Sequence, residues 1–123
     1  MKKLILYIVL FCTVVAYADI YVGSDKVNIN KYRKLNYIIV KMDEVGNDVW
    51  PEVDYGQTQR NKETKPVDFN GDRLKFNSKA DVLNFFYRKG WRLINTYVNI
   101  DMPTETIYNT EYFIFEKNKG SRS

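Results

Sequence analysis

The sequence predicts an α+β fold, a small antiparallel sheet of about four to five strands with one α-helix packed across one face. Three observations predict it. Short runs rich in β-branched and aromatic residues recur along the chain. Only one stretch, Ser78 to Leu93 (SKADVLNFFYRKGWRL), combines helical periodicity with a start and a stop signal. The order is therefore strands, one helix, strands, with no internal repeat and no composition break the size of a second domain.

The N-terminus, MKKLILYIVLFCTVVAYADI, has the layout of a secretory signal peptide. Lys2 and Lys3 precede the uncharged run Leu4 to Val15, and Ala16-Tyr17-Ala18 forms an A-x-A site with cleavage expected between Ala18 and Asp19. The apolar run is shorter than the roughly 20 residues that a membrane-spanning helix requires, so no transmembrane segment is expected after cleavage. The sequence thus divides into a signal peptide (1–18), a polar leader (19–34), a single α+β domain (35–117) and a disordered tail (118–123). The expected location is outside the cytoplasm, periplasmic or secreted.

Cleavage changes the chemistry available. The only cysteine, Cys12, leaves with the signal, and the chain has no histidine. A disulfide-free exported domain must be held by packing alone. Loss of Lys2 and Lys3 leaves 17 basic against 15 acidic residues, a net charge of +2 in place of +4. Basic residues gather at Lys31, Arg33 and Lys34 and at Lys117, Lys119 and Arg122 without forming a stripe suited to nucleic acid.

Within the domain, Leu35 to Met42 (LNYIIVKM) reads as a central strand because both faces carry apolar side chains. DEVGND, Asp43 to Asp48, is turn chemistry. Val49 to Gln57 reads as a second strand, with Pro51 confining it to an edge or a start. Thr58 to Lys65 is a solvated loop. Asn70-Gly71 between two short apolar-alternating runs predicts a type I′ hairpin over Val67 to Phe76.

Ser78 is the expected helix N-cap, with Asp81 three residues on. Ala80, Leu83, Phe86 and Tyr87 define an apolar face that Val82 and Phe85 widen. Arg88 and Lys89 suit the carbonyl end, and Gly90 is the expected left-handed residue just past it. Trp91 then packs back on Phe86 and opens a strand, Trp91 to Ile100, followed by a last strand, Thr110 to Lys117. Ser78, Leu83, Phe86, Gly90 and Trp91 are accordingly structural. Asn84 is either solvated or buried with a hydrogen-bond partner.

The missing histidine and mature cysteine remove Ser-His-Asp and Cys-His catalysis and the usual zinc, copper and haem ligand sets. No cofactor or metal is expected. Asp68, Asn70 and Asp72 match the first three positions of a calcium loop, but Arg73 and Lys79 stand where glycine and glutamate are needed. Ten Tyr, seven Phe and two Trp are the unusual feature. Tyr and Trp suit interfaces because a flat apolar body carries a polar tip. Trp50 and Tyr55 are the binding candidates, with core packing an equal reading for each. Tyr32, Tyr97 and Tyr108 also fall where exposure is feasible.

FNSKADVLNFFYRKGWRLINTYV followed by EYFIFEK, with VDYGQ upstream, resembles a group of small uncharacterised exported proteins of Bacteroides-type bacteria. It shares the helix–Gly-Trp–strand element, here Gly90-Trp91, with a wider domain-of-unknown-function group. The resemblance implies a Gram-negative envelope protein and carries over no catalytic or binding residue. The expected function is a non-catalytic binding or interaction module of the cell envelope, its partner an envelope protein or glycan. The alternative is a carboxylate-dependent enzyme or glycan-binding accessory protein using residues such as Asp54 and Asp68.

Overall fold

The computed structural model of the protein describes residues 19–58, 63–101 and 108–118. The elements are β1 (Tyr21–Val22), β2 (Val27–Asn28), a 3₁₀ turn (Ile29–Lys31), β3 (Tyr37–Val45), β4 (Asp48–Asp54), β5 (Pro66–Val67), α1 (Lys79–Arg88), β6 (Trp91–Asp101) and β7 (Tyr108–Lys117). The class is α+β. Instead of one sheet of four to five strands there are two: a four-stranded sheet in the order β4-β3-β7-β6 and a three-stranded one in the order β2-β1-β5. All pairings between these strands are antiparallel. The signal peptide, with Ala18, lies outside the described residues, as do 119–123 of the tail; Asp19 is the first described residue.

β3 is central, as its two-sided apolar sequence predicts. It pairs with β4 on one side and β7 on the other. β3 runs to Val45, so the turn is only Gly46-Asn47, with Gly46 at φ 65 in the region glycine tolerates best. Pro51 sits mid-strand in β4, where an edge position lets it go without a donor.

The helix forms where its signals stand. The Asp81 amide donates to Ser78 Oγ at 3.1 Å, and Gly90 turns out of the helix at φ 91. Its buried face centres on Val82 and Phe86, four residues apart, with Leu83 and Phe85 packed beside them. Ala80 and Tyr87, assigned to that face from spacing, are exposed, Tyr87 to 70%. Tyr87 lies one residue's rotation, about 100°, from Phe86, and Ala80 lies about 160° from Val82, nearly opposite the buried line. Asn84 is exposed as well, so its amide is solvated.

One core unites both sheets and the helix. It holds Ile38, Val40 and Met42 of β3, Val49 and Val53 of β4, Phe113 and Phe115 of β7, Val82 and Phe86 of the helix, and Trp91. Phe86 lies 5.0 Å from Phe115, and Phe76 5.2 Å from Phe85, between ring centroids. Each such fully buried side chain contributes about 1.5–3 kcal/mol.

The segment expected to be a polar leader enters this core through Ile20, Val22 and Ile29. It also seals the helix end. Asn30 Nδ2 donates to the Lys89 carbonyl at 3.1 Å, while Asn30 Oδ1 accepts from Trp91 Nε1 at 2.7 Å. One amide thus satisfies a terminal helix carbonyl and the only polar atom of the buried indole. Trp91, 1% exposed, is structural.

The expected type I′ hairpin at Asn70-Gly71 is corrected. Only Gly71 has positive φ, whereas that turn requires it at both central residues. Asp68 Oδ1 instead accepts from the amides of Asn70 and Asp72, each at 2.9 Å, and a single bridge joins Val67 to Arg73.

Candidate functional site

The helix covers only one face of the four-stranded sheet. Strand alternation puts Ile39 and Lys41 of β3, Trp50, Glu52 and Asp54 of β4, and Tyr112 and Ile114 of β7 on the other. A β-bulge between Leu93 and Asn95 resets the register of β6, and Tyr97 then stands directly opposite Tyr112. The two rings stack at 4.8 Å with 6° between their planes.

Ile39, Lys41, Glu52, Asp54, Thr64, Tyr97 and Tyr112 line a shallow trough of about 380 Å³ on this face. Lys41 Nζ lies 3.5 Å from Glu52 and 3.8 Å from Asp43. Burial works to lower the Lys41 pKa. The Asp43 and Glu52 carboxylates, with Tyr112, outweigh it and hold the ammonium above its ordinary value. Lys41 therefore remains a cation and cannot serve as a neutral amine nucleophile or base at neutral pH. Thr64 Oγ1 reaches Glu52 Oε1 at 3.4 Å. The trough offers an aromatic pair, a fixed cation and carboxylate acceptors, a set suited to holding a polar ligand with flat apolar faces.

Trp50 shares the open face with Glu52 and Asp54 but does not line the trough, and Tyr55 lies elsewhere. Trp50, half-buried on β4, has its ring covered by the Arg73 guanidinium 4.7 Å from the centroid. Tyr55 lies past the end of β4, 6.4 Å from the Tyr32 ring. Burial, then Tyr32, Glu63 and Asp25, push its hydroxyl pKa up. It lines a separate shallow cavity with Tyr32, Arg33, Lys34, Leu35 and Gly56, which does not include Trp50.

The carboxylates named for catalysis are likewise apart. Asp54 lines the trough and accepts the Gly56 amide at 3.0 Å, whereas Asp68 holds its own turn. Glu63 is held below its ordinary range by the Ser24 hydroxyl and the Ser24 amide, at 2.6 and 2.7 Å. That shift is opposite to the one a general acid needs. Among the described residues no group of three or more Asp or Glu side chains is placed to hold a metal ion.

Tyr97 was one of five aromatics whose position allowed exposure; Lys41, Glu52 and Tyr112 carried no sequence signal. Their meeting depends on strand order and on the bulge, and neither is written in local spacing. No helix among the described residues is long and apolar enough to cross a membrane. No family model matches the chain, and no curated protein or solved structure matches it significantly.

Proposed function

We propose that the protein is an exported, non-catalytic binding module of a Gram-negative cell envelope, and that it recognises its partner with the open face of the four-stranded sheet. The observation that carries this reading is the stacked Tyr97–Tyr112 pair on a face that no helix covers among the described residues. Large aromatic side chains with few rotatable bonds are the usual energetic anchors of interfaces. Lys41, locked between Asp43 and Glu52, orients a partner by charge and offers no chemistry. The export signal and the resemblance to Bacteroides-type envelope proteins supply the compartment.

A glycan is the second reading, and a specific observation favours it. The trough puts Glu52, Asp54 and Thr64 near an aromatic pair, the mixture of acceptors and flat apolar surface that a sugar ring engages. The test is a pull-down from the native envelope fraction, with mass spectrometry of captured proteins and a parallel titration with soluble cell-wall oligosaccharides. The reading predicts one ligand class retained by wild type and lost on the double variant Tyr97→Ala/Tyr112→Ala. Retention by that double variant moves the site away from the trough.

A further inference from the structure

We infer that β6 is a docking edge for a second copy of the same chain, which pairs antiparallel with its own β6 about a two-fold axis through Val98. Among the described residues β6 has one strand neighbour, β7, and is the end strand of its sheet. The bulge at Leu93–Asn95 interrupts only the start of the strand, and beyond it the outer edge shows no further protecting device among the described residues. From Leu93 to Ile100 the sequence LINTYVNI contains no charge and no proline. It is a window of high β-propensity with no gatekeeper residue. Val98 is 52% exposed, Ile94 45% and Leu93 39%.

The occupant follows from the geometry of the strand. The bulge ends regular pairing between Leu93 and Asn95, and the strand ends at Asp101. The regular stretch is thus Asn95 to Asp101, whose midpoint is Val98. A two-fold at that midpoint uses the whole stretch in both copies, sets Val98 against Val98, and sets Tyr97 against Asn99 twice. Because residues 93 to 100 are uncharged, an antiparallel copy meets no like charge there. A two-fold perpendicular to the sheet keeps both open faces on one side, so the two Tyr97 side chains come within diagonal cross-strand reach. The result is one eight-stranded sheet with two troughs side by side. A single strand pair is far smaller than the standard interface of about 1,600 Å², so the association is weak and concentration-dependent. It does not depend on what the trough binds.

The experiment is sedimentation equilibrium of the exported protein from low micromolar to near-millimolar concentration, with Val98→Lys, Val98→Glu and an equal mixture of the two. Thermal unfolding of each variant checks that it remains folded. The expected result is a wild-type monomer–dimer equilibrium, at least tenfold weaker association for either variant alone, and association restored in the mixture. Restoration by opposite charges identifies a Val98–Val98 contact, which a general gain in solubility does not imitate. A wild type that stays monomeric throughout overturns the inference and leaves the edge to another partner. Undiminished association of Val98→Lys, or a mixture no better than its components, overturns it as well.

Discussion

The two edges of the four-stranded sheet are finished in opposite ways. At β4, the Val49 amide donates to the Phe76 carbonyl at 2.8 Å, the Val49 carbonyl accepts from the Phe76 amide at 3.2 Å, and the Val53 amide donates to the Thr64 carbonyl at 2.6 Å. Pro51, between them, has no amide to offer. Gln57 closes the end of the strand: its amide reaches the carbonyls of Val53 and Glu63, and its oxygen accepts from Tyr55. At β6 the backbone bonds run to β7, and the Thr96 amide turns to the neighbouring Asn95 side chain at 2.9 Å. The described residues thus cover the β4 edge and leave the β6 edge without a backbone partner.

The largest effect is expected where the open strand is anchored. Trp91→Ala should cost about 3–5 kcal/mol, as large core truncations do. For a domain near 100 residues that lowers the melting temperature by roughly 12 °C or more. Melting like wild type would detach β6 from the core. The next effect belongs to the closed edge. Gln57→Ala removes three hydrogen bonds and should cost about 1–3 kcal/mol in urea unfolding, with faster exchange of the Tyr55 amide.

Glu63 sharpens the same contrast through pH. Its carboxylate ties the Ser24 loop to the strap beside β4, chiefly through the Ser24 hydroxyl and amide. Its folded pKa lies below the ordinary value of 4.5, so folding favours the ionised form. The contribution is complete above pH 4.5 and disappears as pH falls through the lower folded value. Glu63→Gln should therefore be less stable than wild type near pH 7, and the gap should close in acid. A gap independent of pH would assign the effect to something other than the charge. The smallest stability effect is expected at the open edge, where Val98→Lys should stay within about 0.5 kcal/mol of wild type because it removes no buried contact.

How much of this was legible in the sequence differs between regions for physical reasons. The helix was legible because its cap, its acidic first turn and Gly90 are local signals. Its face was misjudged by about one position, since the window Ala80–Tyr87 also fits a 3.6-residue repeat. The four long strands were legible as apolar runs. β1, β2 and β5 were hard to see because two-residue strands have no periodicity to detect. Asn30 gave no sign of bridging the helix end to Trp91, because its partners lie about 60 positions away. The trough was illegible for the same reason: Tyr97 meets Tyr112 only after the bulge at Leu93–Asn95 has set the register.

Amide hydrogen exchange along β4 and β6, measured in dilute monomer, tests the contrast most directly. The account predicts slow exchange for Val49, Val53 and Phe76, and an alternating pattern from Asn95 to Asp101 in which every second amide, on the outer edge, exchanges quickly. Uniform protection along β6, equal to that of Val49 and Val53, would mean that the chain already closes this edge and would contradict the account.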